Sequence, residues 1–355
     1  MAKKKKQHFV PQFYLKNYSF QNDSRSIGIC ALDSGRYIQR GNLRNQAYSD
    51  YFYGENAVLE NAFALLEGSV SSILSQIISD RKIPPRESRE YFHLLTFIIS
   101  LSQRTRYAAD AVNEMANQML KIAYKDDSRI NKYFDKFNIV TKDAPNLALS
   151  ALDRSLLVSL DLGYKILIND TSHMFITSDN PVIKHNHYLR RIDPIKSYIG
   201  FANKGLQIIL SLNPVTCLIF YDQDVYGVGN KKESIITVSN HEDVDEINRF
   251  IRISADKVLY FDHNVNETYI RKIINDSKGF RRKSRVVTHE YEVPSSDLDT
   301  QRSIIHVHPN IIRKDLRLSF IRILKKARKS YPKETSELFR DPELVNYLLD
   351  SGKSR

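Results

Sequence analysis

The sequence predicts an α+β fold, with a helix-rich N-terminal half packed on a small, mostly antiparallel sheet and a basic C-terminal extension. Three observations predict it. Apolar residues recur at helical spacing through residues 55–124, short β-branched and aromatic runs replace that period after residue 163, and cations accumulate from about residue 280. The 355 residues, 42% hydrophobic and 26% charged, have the balance of a globular protein able to bury a full core. The expected division is a basic flexible tail at 1–7, a single α+β domain at 8–279, and a basic helical and strand extension at 280–355.

Taken in order, Pro11 suits the start of a short helix in PQFYLKNYS, because its fixed φ is compatible with a first turn. Residues 26–32 and 36–40 flank Asp33-Ser34-Gly35, a hairpin turn with glycine where positive φ is needed. Over residues 55–79, Leu59, Ala62, Phe63, Leu66, Val70, Ile73, Leu74 and Ile77 form the stripe of an amphipathic helix. Pro84-Pro85 ends it. Residues 86–124 read as one long helix or two joined end to end, with FHLLTFIISL apolar nearly all round and therefore central. Residues 146–162 repeat the helical period and stop at Gly163. Strands are expected at 164–168, 174–177, 206–210, 216–221 and 259–261, a long loop at 183–204, and helices at 242–258 and 267–275. In 311–324, Ile312, Leu316, Ser319, Phe320 and Ile323 recur at helical spacing with cations between them, which predicts a basic amphipathic helix.

The two cysteines, Cys30 and Cys217, sit inside apolar runs; they make no disulfide framework and suit buried thiols in a reducing compartment. The basic start is followed by no apolar core of a signal, and the longest apolar stretch, residues 94–101, is short of the ~20 residues a membrane span needs. A cytoplasmic protein with no membrane partner is expected. A net charge of +12 favours polyanions through long-range attraction. Phosphate-loop, dinucleotide, nucleophile-elbow and His-Glu-x-x-His motifs are absent from the sequence.

Three constellations carry chemistry. His8, Gln12 and Tyr14 place an imidazole, an amide and a phenol within seven residues beside a helix start, as an acid–base or phosphate-contacting site or as struts of a docked segment. Thr177-Ser178-Asp179-Asn180-Pro181 follows a strand-like run; Asp179 suits a metal ligand, of magnesium or manganese, or a base, and Asn180 a substrate contact, while a self-capping Asx turn is the structural alternative. Glu60 and Glu67 share a helix face two turns apart, near the apolar stripe, and Arg104 or Arg106 is the expected partner of an inward carboxylate. Arg281, Arg282, Lys283, Lys325 and Lys326 are the candidate nucleic-acid contacts.

HFVPQFYLKNYS together with TSDNPV resembles the bacterial domain of unknown function 4238 family. The resemblance runs through residues 8–15, the spaced Glu60 and Glu67, Arg104, residues 178–181 and Leu212-Asn213-Pro214, covering about residues 8–262. Tyr18 stands where phenylalanine is usual, and Asn213 where a small residue is usual. The resemblance implies that the distant polar motifs meet in one pocket. The leading expectation is a nuclease acting on RNA or DNA, in phage defence or as a toxin-like effector. His8 would serve as acid or base, Arg104 would stabilise phosphoryl charge, and Gln12 and Asn180 would position substrate. The alternative is a non-catalytic protein that binds nucleic acid or a protein partner through its basic C-terminal region.

Overall fold

The computed structural model describes residues 5–20, 23–134, 136–191, 198–293 and 302–351. Within them the fold mixes helices with antiparallel and mixed sheets, the α+β class that the change of period predicts.

The chain opens with β1 (Lys6–His8), a short helix α1 (Gln12–Leu15) and a 3-10 turn (Lys16–Tyr18). The expected tail is therefore shorter than residues 1–7: Gln7 is fully buried, and Lys6, Gln7 and His8 pair with Asp50, Ser49 and Tyr48 of β4 (Tyr48–Asp50). Residues 1–4 lie outside the described residues. The hairpin forms as β2 (Ser26–Ala31) and β3 (Tyr37–Asn42), with Gly35 at φ +67° in its turn.

The helical half contains α2 (Val58–Asp80), α3 (Arg89–Gln103), α4 (Arg106–Ala123) and α5 (Ser128–Phe134). By length and composition α2 is the one described helix apolar enough to cross a membrane; here it packs on α3 and buries Phe63, Val70, Ile73, Leu74 and Ile77. The long helical stretch is two helices. Thr105 breaks it by accepting the Ala108 N–H through its hydroxyl (3.2 Å), a side-chain N-cap. The helix expected at 146–162 is likewise split, into α6 (Ala144–Leu149) and α7 (Leu152–Leu157).

β5 (Gly163–Asn169), β7 (Ile183–His185), β8 (Gln207–Ser211), β9 (Thr216–Tyr221) and β11 (Ile235–Val238) form a sheet in the order β11-β5-β9-β8-β7, antiparallel except for β11 against β5. The expected strand at 174–177 is only the two-residue β6 (Thr177–Ser178), which joins β12 (Val258–Phe261), β2 and β3 in a second sheet. The five-stranded sheet separates two apolar cores. Ile166, Ile168, Ile208, Leu210, Leu218 and Phe220 face the core that holds α2 and α3. Leu167, Ile209, Cys217 and Ile219 alternate to the other, built with α8 (His241–Ser254) and α9 (Glu267–Ser277).

The C-terminal segment is woven into that second core. β13 (Val286–Val293) and β14 (Arg302–Pro309) make a hairpin against α4, and β15 (Ile321–Ile323) pairs with β10 (Tyr226–Val228). The amphipathic helix expected at 311–324 does not form: residues 310–320 are irregular, and Ile311, Ile312, Leu316 and Leu318 are buried from that irregular segment. Apolar residues three and four apart suit an irregular chain threaded into a core as well as a helix. The helices that follow are α10 (Lys325–Lys329) and α11 (Pro342–Ser351).

Candidate functional site

The break between α3 and α4 organises the site. Arg104 closes α3, its N–H donating to the Ser100 carbonyl (2.8 Å), and turns its side chain toward α2. There Phe63 and Glu67, one helical turn apart, share a face. The guanidinium lies 4.5 Å from the Phe63 ring centroid, and its Nη2 donates to Glu67 Oε1 at 2.6 Å. The Arg104 side chain is 0% exposed and that of Glu67 27%, so the pair is shielded at the cation and open at the carboxylate. Tyr53 donates its hydroxyl to the Arg104 carbonyl (3.3 Å), and burial drives that phenol well above its ordinary pKa. Glu60, two turns from Glu67 along α2, acts on Tyr53 through its charge. Arg104 Nε and Nη1 are buried without a hydrogen-bond partner among the described residues. A buried polar group normally finds a partner, so two free N–H groups on one guanidinium call for an acceptor.

His8 and Gln12 come from the strand-to-helix turn at the N-terminus. Gln7 pins β1 in place: its Oε1 accepts the Tyr53 N–H (2.6 Å) and its Nε2 donates to the Gly54 carbonyl (2.9 Å). Pro11, with ψ 138°, then ends the extended run and starts α1, which brings Gln12 back over His8. Gln12 Nε2 lies 2.9 Å from His8 Nε2 and 3.2 Å from the Arg44 carbonyl, an arrangement in which the amide donates to the imidazole. The half-buried imidazole feels the charges of both Glu67 and Arg104. Burial holds its pKa below the ordinary histidine value, against the opposing pull of the Arg44 carbonyl and of Glu67. The result is a half-buried imidazole, held below its ordinary pKa, within electrostatic range of the Arg104–Glu67 pair.

The other sequence-picked residues have different work. Tyr14 is fully buried; its hydroxyl lies 2.6 Å from Thr177 Oγ1 and donates to the Ser211 carbonyl (2.7 Å), which docks α1 on the sheet. Asp179 departs from the metal-ligand and base readings. Its Oδ1 accepts the Asp256 N–H (2.9 Å), and its Oδ2 accepts those of Lys257 (2.8 Å) and Val258 (3.2 Å). Both oxygens are thereby committed to the backbone entering β12. Burial nevertheless pushes the carboxyl up to about 7, against those three bonds. Among the described residues no group of three or more His, Cys, Asp or Glu side chains is placed to hold a metal ion. Asn180 Oδ1 accepts from the Thr105 hydroxyl (3.3 Å) and its Nδ2 donates to the Ser254 carbonyl (2.8 Å). It thus braces the α3–α4 junction from the side opposite α2 and fronts a separate cavity.

The structure therefore pairs His8 with Gln12 and Arg104 with Glu67, puts the imidazole within electrostatic range of the second pair, and leaves Tyr14, Asp179 and Asn180 as supports. The candidate nucleic-acid residues also divide. Arg281 and Lys283 are exposed after α9, Arg282 is half-buried with its Nη1 donating to the Asn310 carbonyl (3.1 Å), and Lys325 and Lys326 are exposed at the start of α10, where Lys326 pairs with Asp224 (2.6 Å). Gln7 and Tyr53, which hold the cluster, carry no signal in the sequence, and Phe63 reads there only as part of an apolar stripe; no local pattern marks Tyr53 inside the turn YFYG.

No curated protein and no solved structure matches the chain. One family model does, described as a protein of unknown function, and it matches residues 6–264, a span that contains His8, Gln12, Glu67, Arg104 and Asp179. The chain belongs to this family, DUF4238, as the His8 block and the Ser-Asp-Asn-Pro turn led us to expect.

Proposed function

We propose that this protein is a nuclease whose His8–Arg104 site cleaves a phosphodiester of RNA or DNA. The observation that supports it best is the buried Arg104 guanidinium, held on one edge by Glu67 and left with two N–H groups free. Those N–H groups suit two non-bridging phosphate oxygens in the planar fork geometry of arginine. His8, neutral at pH 7 because burial lowers its pKa, takes a proton from the attacking hydroxyl at Nε2, where that hydroxyl replaces the Gln12 amide on the one free lone pair of the ring. The new P–O bond forms as the ester P–O bond breaks, and the leaving oxygen takes its proton from solvent water. Arg104 stabilises the charge that gathers on the phosphoryl oxygens, Glu67 fixes the guanidinium, and Gln12 sets the imidazole.

The test is incubation of the purified protein with labelled RNA and DNA, with and without Mg²⁺ or Mn²⁺, beside a His8→Ala variant. Cleavage that falls by roughly 10²–10⁴-fold in the variant supports the reading, the usual span for loss of an acid–base group. Cleavage unchanged by the substitution removes His8 from the mechanism. A second reading, a non-catalytic binder, draws on the exposed cations Arg281, Lys283 and Lys325. Nucleic acid retained but never cut favours it.

A further inference from the structure

On the side of the α3–α4 junction away from Glu67 lies a cavity of about 250 Å³, fronted by Asn180 and closed by the segment after α9. Its charge is unusual. Lys184 and Arg282 both line it, and neither forms an ion pair with a carboxylate among the described residues. The Lys184 ammonium rests 4.4 Å from the Phe201 ring centroid, and Arg282 lies 5.0 Å from that of Tyr107 and donates only to a neutral carbonyl. Arg285, also in the wall, is by contrast balanced by Asp256 (2.7 Å), Asp110 (3.4 Å) and Glu114 (3.8 Å).

Three polar atoms on the lining residues are buried with no hydrogen-bond partner among the described residues: the Tyr107 hydroxyl, Gln103 Oε1 and Arg285 Nε. Two of them can donate. Unpaired cations and orphaned donors around one hollow are what an absent anion would satisfy. Burial together with the charge of Arg282 pulls Lys184 down to about 8, the cost of holding two cations in one wall without a counter-ion.

Much of the remaining wall is apolar, with the small Ala108, Ala111 and Val112 along one face of α4 and Ile199, Pro309 and Ile312 beside them, while Ser102 and Ser254 are polar. The lining itself presents Lys184, Arg282 and Arg285 and no carboxylate, while Asp256, Asp110 and Glu114 lie behind Arg285, so the hollow favours an anion such as a phosphate monoester. The volume falls just below the roughly 300–1,000 Å³ typical of small-molecule pockets, which suits one mononucleotide-sized molecule and leaves no room for a strand. A neighbouring hollow of about 170 Å³ shares Tyr107, Arg282 and Arg285.

We propose that this cavity binds a small phosphate monoester carrying a flat apolar ring, the class of a nucleoside monophosphate, with Lys184 and Arg282 on the phosphate and the alanine face of α4 against the ring. The matched family region ends at residue 264, so Arg282 and Arg285 come from outside it. The site is thus assembled where the C-terminal segment closes over the family fold.

Calorimetric titration of the full chain with adenosine monophosphate, adenosine and inorganic phosphate tests the proposal, with Lys184→Met and Arg282→Gln variants run in parallel. The expected result is saturable binding of the monophosphate, at least tenfold weaker binding of the other two probes, and at least a tenfold loss in each variant. Melting of both variants near the wild-type temperature shows that the loss is not unfolding. Absence of saturable monophosphate binding to the wild type overturns the proposal, as does binding that neither substitution weakens. Nuclease activity is a separate readout: its presence or absence leaves this result standing.

Discussion

The two sides of the α3–α4 junction hold cations from distant stretches of chain and treat them in opposite ways. Toward α2, Arg104 is buried against Glu67, and a partly exposed carboxylate balances it. On the other side, Lys184 and Arg282 face a cavity and form no ion pair with a carboxylate among the described residues, although the charge of Asp256 reaches Arg282. A compensated guanidinium keeps its shape while charge builds and decays on a substrate. Uncompensated cations instead store a standing demand for an anion. The comparison teaches that a helix break capped by Thr105 can have a paired, shielded guanidinium on one side and cations without a salt-bridge partner on the other.

The sharpest way to break this comparison is to remove Arg104. Arg104→Ala deletes a fully shielded cation that stacks on Phe63, and stability in urea is expected to fall by about 3–5 kcal/mol, as when a buried pair loses one member. A loss under about 1 kcal/mol, the range of an exposed pair, would place the guanidinium in water and end its role as a desolvated fork. Asp179→Ala should cost somewhat less, about 2–3 kcal/mol, because backbone N–H groups of Asp256, Lys257 and Val258 lose a charged acceptor. Asp179→Asn should cost less again, and added Mg²⁺ should leave the melting temperature of the wild type unchanged at Asp179 relative to that variant.

A separate prediction concerns acid. His185 is buried, its Nε2 accepts the Leu316 N–H (3.3 Å), and burial lowers its pKa to about 3. The unfolded chain takes up that proton below about 6.5, whereas the folded chain refuses it until about 3. Stability tied to His185 is therefore complete above about 6.5 and is lost as pH falls from there toward 3. Asp179, raised to about 7, acts with the opposite sign over part of that window. The difference between wild type and His185→Gln isolates the histidine: the variant should lose less stability between pH 6.5 and pH 4, measured by urea denaturation. Equal slopes would show that position 185 is open to water when folded.

Much of the Arg104 side was legible in sequence. The HFVPQ block announced a turn that sets an imidazole against an amide, and a glutamate beside an apolar stripe announced an inward partner for an arginine ending an apolar helix. The Asn180 side was not. Asp179 reads as chemistry because it is acidic and follows a strand, yet its partners lie 77–79 residues further on, where no local pattern points to them. Lys184 sits in a stretch that reads as loop and forms a strand instead. Arg282 belongs to a run that reads as a solvated basic surface, and only the packing of β13 and β14 against α4 turns one member of that run into a cavity wall. The stretch 311–324 shows the same blindness: its spacing fits a helix, but its apolar residues are spent as separate plugs in the second core.

The claim that Arg104 offers two free N–H groups to a phosphodiester is tested most directly by nuclear magnetic resonance of its guanidinium. The probe is a dinucleotide whose linkage is a cleavage-resistant phosphorothioate. The Arg104 Nε–H signal should move and saturate as the probe is added, and the same titration of Arg104→Lys should show no binding at the site. A signal that stays fixed while the probe binds elsewhere on the protein would contradict the account.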